Sequence, residues 1–245
     1  MANEDQLWEQ ITDTELVSSL TRIRLAAKKI WDPTVRIIQG YTGHDIPHSK
    51  RVAGFVADLL EANKGQALSS EEMYLLLAGV YLHDIGMQCD VVRFPKIKRR
   101  AEELEAKFAV RFTAQTANEY SKDEQKAIRE NHQFLTAAWI DYAYCENKTV
   151  LGPEIRTIPS GSEYLVADLM DVCKYHSKLP IADCPSTELG RQVRRRLVAA
   201  LLRFADELDV SKHRVSIETV KNFSFDPHNS VYWWLHNRTK VLISR

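Results

Sequence analysis

The chain has 245 residues, with 33 Lys and Arg against 33 Asp and Glu, and 44% of it is hydrophobic. Balanced charge excludes a broad basic coat for nucleic acid or a polybasic membrane surface, and the hydrophobic content excludes a low-complexity disordered chain. The length suits one folded domain, alone or with a small appendage.

The N-terminus, MANEDQLWEQ, is acidic and polar, unlike a signal peptide, and no apolar run approaches the ~20 residues of a membrane span. Cys89, Cys145, Cys173 and Cys184 form no C-x-x-C pair, so neither a thiol zinc site nor a disulfide framework is indicated. A cytoplasmic protein with reduced thiols is expected. The dominant periodicity is helical, and helices are predicted at about 12–30, 46–63, 70–85, 97–118, 122–145, 162–177 and 187–209. Thr12/Glu15, Ser69/Glu72, Ser121/Glu124 and Ser160/Glu163 each read as a capping box opening an apolar-periodic run. Glycine is scarce and strands do not alternate with helices, so the expected fold is all-α. Strand-like text occurs only at 214–217 and 240–244, which predicts a small C-terminal β appendage. An apolar strand ending the chain after Trp233-Trp234 leads us to expect a fused or missing C-terminal module that carries its partner strand.

Histidines and aspartates recur on the apolar helix faces. His48 begins the stripe Val52, Phe55, Leu59; His83 and Asp84 end the stripe Leu76, Val80; His132 sits between Ile128 and Leu135; His176 follows Leu165, Leu169 and Val172; Asp206 follows Leu202. Each polar group stands three or four residues from an apolar one and so shares its helix's buried face. A buried imidazole or carboxylate has to be paired or bound to a metal. One such histidine is ordinarily a hydrogen-bonded core residue. Four imidazoles and two carboxylates on five helices instead form an N/O donor set suited to Zn, Fe, Mn, Ni or Co. For His83 and Asp84 to reach one centre the helix end must be distorted, and Gly86 is expected to supply the flexibility.

His48-Ser49-x-Arg51-Val52-Ala53, then Leu82-His83-Asp84-Ile85-Gly86, and finally Leu202-x-x-Ala205-Asp206-x-Leu208-Asp209 resemble the HD-domain metal-dependent phosphohydrolases. The resemblance spans about residues 40–212 and implies an all-α HD-domain helical bundle. It divides the chain into an N-terminal helical extension at 1–39, the HD domain at 40–212 and a β-containing segment at 213–245. His132 and His176 match the extra histidines of the two-metal branch. One divalent ion is then implied on His48, His83, Asp84 and Asp206, and another on His132 and His176, with Asp84 bridging. The implied activity is hydrolysis of a phosphoester, a nucleotide or cyclic nucleotide, by a metal-activated hydroxide. Tyr41-Thr42-Gly43-His44, Tyr81-Leu82-His83-Asp84-Ile85-Gly86-Met87 and Ala205-Asp206-Glu207-Leu208-Asp209 are similar in wording to bacterial conflict-system HD domains, often fused to Hsp90-like ATPase modules. Met87 stands where many relatives carry Lys, and no Gly-Tyr-Pro follows His176, which disfavours the cyclic-di-GMP subgroup. The interval from Asp84 to His132 is long, so 88–120 reads as an insertion.

Arg51, Arg129 and Arg203 each stand three residues from a proposed ligand and share its helix face. They are expected to contact phosphate, or to pair with a ligating carboxylate, and Lys178 is a further phosphate contact. The plain alternative is an ordinary solvated or salt-bridged side chain for each arginine and a surface lysine for Lys178. Pro47 places the helix start near residue 47, which leaves His44 outside it as a proton donor to the leaving oxygen or a substrate contact, or else in a plain loop hydrogen bond with Asp45. Two basic runs, Arg93-x-x-Lys96-x-Lys98-Arg99-Arg100 and Arg191-x-x-Arg194-Arg195-Arg196, read best as solvated faces. They also define the rival reading, a single-strand nuclease that tracks a phosphate backbone. A second rival is a non-catalytic nucleotide sensor in a bacterial defence system.

Overall fold

The computed structural model describes residues 4–31, 37–38, 46–62, 67–145, 162–186, 192–210 and 235. Within them the chain is all-α: α1 (Glu4–Trp8), α2 (Thr14–Ile30), α3 (Ile46–Ala62), α4 (Ser70–Leu82), α5 (Pro95–Glu103), α6 (Lys122–Glu130), α7 (His132–Cys145), α8 (Tyr164–Tyr175) and α9 (Arg195–Leu208). Short 3-10 turns lie at Ile85–Gln88 and Ile181–Asp183. No strand occurs among the described residues. The predicted strands at 214–217 and 240–244, with Trp233 and Trp234, lie outside them.

α4 is the axle. Every residue from Glu72 to Leu82 is buried, as a helix apolar on all sides requires, and α1, α2, α3, α8 and α9 pack around it. At Gly79 the contact is so close that a Cβ would stand 3.0 Å from Leu202 and 3.1 Å from Val172. α7 is the second inner helix, buried from His132 to Ile140 and packed on α5, α8 and the turn after α4. The two axles bring the ends of α4, α7 and α8 together. No helix among the described residues is long and apolar enough to cross a membrane.

The boxes at Ser69/Glu72 and Ser121/Glu124 form with both reciprocal bonds. At α2 the cap is Asp13 rather than Thr12: its carboxylate accepts from Glu15 N at 2.7 Å and Leu16 N at 3.2 Å. Thr12 N instead donates to Ser70 Oγ at 3.1 Å. Ser160 lies outside the described residues. Glu72 has a further duty, accepting from Arg194 N, Nε and Nη2 at 2.8, 2.7 and 2.7 Å. Burial opposes its charge, yet the Arg194 bonds and the Ser69 N–H outweigh that and lower its pKa. Arg195 is paired with Asp168 at 3.1 Å and Asp171 at 2.8 Å, and Arg196 donates to the Cys184 carbonyl at 2.9 Å. These three arginines of the second basic run therefore clamp the fold internally. The first run is partly paired too, Lys98 with Glu102 and Arg100 with Asp141.

Two predicted helices are cut short for visible reasons. The one expected at 97–118 ends at Glu103, because Glu105 takes φ 80° and Ala106 N bonds back to Ala101 O at 2.9 Å, a left-handed helix stop. Glycine is the usual residue at such a position, since it lacks the Cβ that strains a left-handed backbone. Glu105→Gly is expected to raise stability by about 1 kcal/mol, read as a higher urea midpoint at unchanged slope; an unchanged or lower midpoint would contradict this. The helix expected at 122–145 breaks at Asn131, φ −116° and ψ 12°. Its side chain bonds Ala127 O at 2.9 Å and clasps the Lys107 backbone through Lys107 O at 3.0 Å and Lys107 N at 2.9 Å. An Asn amide competes with the helix's own bonds in this way.

The irregular stretch 104–121 is organised by Glu124, whose carboxylate accepts from the N–H groups of Thr113, Ala114 and Ser121. Burial opposes its charge, but those N–H groups prevail and hold its pKa at about 2. A depressed carboxylate stabilises the fold above its unfolded pKa near 4.5 and loses that contribution as pH falls towards about 2. Glu124→Gln should therefore narrow the difference in urea midpoint between pH 7 and pH 3; an unchanged difference would remove Glu124 from the acid transition.

Candidate metal centre

α3 begins at Ile46 with Pro47 in its first turn, where the missing N–H is harmless. That start turns His48 inward, fully buried. His83 caps the C-terminus of α4 in helical conformation, and Asp84 leaves the helix at φ −102° and ψ 0°. His132 opens α7, His176 caps α8, and Asp206 lies in the last turn of α9. The fold draws these six into two contiguous groups, His48, His83, Asp84 and Asp206, and Asp84, His132 and His176.

In the first group His48 Nε2 lies 3.3 Å from His83 Nε2 and 3.2 Å from Asp206 Oδ1. His83 Nε2 lies 3.1 Å from Asp84 Oδ2 and 3.6 Å from Asp206 Oδ1. In the second, His132 Nε2 and His176 Nε2 are 3.2 Å apart and lie 3.3 and 3.6 Å from Asp84 Oδ1. The two oxygens of Asp84 thus face different imidazole pairs.

The far side of each ring fixes its tautomer. His83 Nδ1 faces the carbonyls of Gly79 and Val80 at 3.2 and 3.1 Å, His132 Nδ1 that of Arg129 at 2.7 Å, and His176 Nδ1 that of Cys173 at 2.5 Å. A carbonyl can only accept, so Nδ1 carries a proton and each ring turns its Nε2 to the centre. His48 Nδ1 faces Asp209 Oδ2 at 2.6 Å. Burial opposes the charge of Asp209, but His48 and Arg51 outweigh it and hold its pKa at about 2, so His48 Nδ1 donates to it and Nε2 turns to the centre. Four Nε2 atoms and two carboxylates converge, and the buried Asp206 Oδ1 faces the Nε2 atoms of His48 and His83. Such a donor set fits a divalent cation.

The electrostatics agree. Burial works against protonation of His83, but Asp84 and Asp206 override it and lift its pKa well above the usual value. Burial likewise opposes the charge of Asp206, while His48 and His83 keep its pKa well below the carboxylate range. His132 is held neutral, at about 4, by burial together with the neighbouring His176 and His83, against the pull of Asp84. The carboxylates therefore draw positive charge into the centre, and His132 stays available as a neutral ligand.

Gly86 acts through space rather than flexibility, because its φ lies outside the left-handed region. A Cβ there would overlap the His132 carbonyl oxygen and stand 2.8 Å from Thr136 N and Oγ1. This close approach lets the turn after Asp84 nest on the start of α7. Thr136 Oγ1 accepts from Gly86 N at 2.9 Å and donates to His83 O at 2.8 Å, satisfying a helix-end carbonyl.

The cations expected at the site have specific partners. Arg51 forks onto Asp209 through Nε and Nη2 at 2.8 and 3.0 Å, so it acts on His48 through Asp209. Arg203 donates to Leu179 O at 2.8 Å, tying α9 to the loop that carries the exposed Lys178. The Arg129 contribution seen at the centre is its carbonyl. His44 lies outside the described residues. Asp209, Thr136 and Asn131 are supporting residues that sequence reasoning missed. For Asp209 a signal existed, since it follows Asp206 by three residues on a buried face and meets an Arg placed three after His48.

A family model described as HD-CE matches residues 38–244, a span containing all six clustered residues. No curated protein and no solved structure matches the chain.

Proposed function

Since the chain belongs to the HD-CE family, we propose that its clustered histidines and aspartates hold two divalent ions and that it hydrolyses a phosphoester, a nucleotide or cyclic nucleotide. The observation that carries this reading is Asp84, whose Oδ1 and Oδ2 serve separate imidazole pairs, as a carboxylate bridging two ions would. His48, His83 and Asp206 complete one half and His132 and His176 the other. When bound, paired divalent ions polarise a phosphoryl group and lower the pKa of water, the chemistry of in-line phosphoester hydrolysis. The donor set suits Mn, Fe, Zn, Ni or Co.

The chain's own residues supply position. Asp209 and Arg51 hold the His48 ring, the Arg129 and Cys173 carbonyls hold those of His132 and His176, and Arg203 tethers the loop that presents Lys178 to phosphate. His44 serves as the proton donor to the leaving oxygen. Pairing of Lys98 and Arg100 with acidic neighbours leaves less charge for tracking a nucleic-acid backbone. The test is turnover of bis-p-nitrophenyl phosphate by the full chain with Mn or Ni. Hydrolysis that a chelator abolishes is expected, whereas bound metal with no turnover would point to a sensor.

A further inference from the structure

Resting on the two-ion reading above, we propose that the halves of the centre are unequal. His48, His83, Asp206 and Asp84 Oδ2 keep a resident divalent ion, while Asp84 Oδ1, His132 and His176 take an exchangeable one and form the face that receives phosphate.

Four differences carry this assignment. The first half converges four protein donors and the second three, so the second would leave more of an ion's positions to water or substrate. The carboxylate of Asp206 belongs to the first half alone, so the second has only its share of the Asp84 charge. The outer supports also differ. His48 is backed by the ionised Asp209 at 2.6 Å, itself fixed by Arg51 at 2.8 and 3.0 Å, whereas His132 and His176 are backed by neutral peptide carbonyls at 2.7 and 2.5 Å. Carboxylate backing makes an imidazole the stronger ligand.

The scaffolds differ last. His132 follows the helix break at Asn131, whose side chain clasps Lys107, and His176 ends α8 where the loop bearing Lys178 begins. The second half thus borders the irregular stretch 104–121 on one side and an exposed lysine on the other. A phosphate dianion meeting the open coordination position has a cation within the adjoining loop to balance it. The first half has α3, α4 and α9 around it and the Arg51–Asp209 pair behind it.

The experiment titrates Mn(II) alone into the metal-stripped full chain, with free Mn(II) followed by electron paramagnetic resonance and folding by circular dichroism. Two binding events at least ~10-fold apart in affinity are expected. Asp209→Asn should weaken the tighter event by ~10–100-fold, the scale for losing an outer-shell carboxylate, so that the gap between the two events closes while the affinity of the other stays as in wild type. His132→Gln should remove only the weaker event. Inorganic phosphate should bind when both events are filled and not when only the tighter one is. Arg51→Ala and His176→Gln repeat the two arms should a first variant fail to fold. Two events of equal affinity, or loss of the tighter event in His132→Gln with Asp209→Asn unaffected, would overturn the ordering. A wild-type chain that binds a single ion contradicts the two-ion reading itself and this proposal with it.

Discussion

Asp84→Ala is expected to lower bis-p-nitrophenyl phosphate turnover roughly 10³-fold or more, the scale of losing one group that stabilises developing charge in a buried site. Asp84 is the one residue common to both ligand groups, and its oxygens stand 3.1 Å from His83 Nε2 and 3.3 Å from His132 Nε2. Removing them takes a donor from each half at once, so metal content should fall further than in any single histidine variant. A thermal readout is independent of turnover. An ion at 100 times its Kd stabilises the native state by about 2.7 kcal/mol, which for a chain of this size is a rise in Tm of roughly 5–11 °C. Wild type should show that rise on adding Mn and Asp84→Ala should not. A variant that keeps both its metal and its thermal shift would remove Asp84 from the bridging position.

Gly86→Ala is expected to cost about 3 kcal/mol or more, at the upper end for overpacking a rigid site, or roughly 6–12 °C in Tm. The atoms that a methyl group would meet are mostly backbone, His132 O and Thr136 N, and backbone cannot rotate aside as a long side chain can. Relief requires α7 to move away from the turn after Asp84, which carries His132 away from Asp84. Metal binding should therefore weaken together with stability. Thr136→Val, which keeps the volume and removes the hydroxyl bonded to Gly86 N and His83 O, should cost less, about 1–3 kcal/mol. A Gly86→Ala protein within about 0.5 kcal/mol of wild type would show that the contact is soft.

Much of the centre was legible because the polar groups that matter sit on apolar helix faces, and periodicity alone shows that His48, His83, His132, His176 and Asp206 point inward. The fold brings together, in two groups that could hold a metal ion, the histidines and aspartates that the family resemblance singles out. Helix existence was legible for the same reason, since α4 and α7 carry long apolar runs with reciprocal caps or histidines at their starts. What escaped was governed by contacts distant in sequence. The stop at Glu105 depends on a left-handed backbone in a residue that does not advertise one, and the break at Asn131 exists because that amide also clasps Lys107, 24 residues earlier. Gly86 read as a hinge, and only the packed turn shows that it supplies room. The Arg51 role was visible as a charge near His48 and Asp209 as a carboxylate three residues after Asp206, but only the fold joins them across 158 residues.

Metal stoichiometry on the purified chain tests the proposed two-ion reading most directly. Elemental analysis of wild type loaded with Mn should find about two ions per chain, falling to about one in His132→Gln and in His176→Gln while their helical circular dichroism persists. About one ion per chain in wild type, unchanged in both histidine variants, would contradict a centre bridged by Asp84.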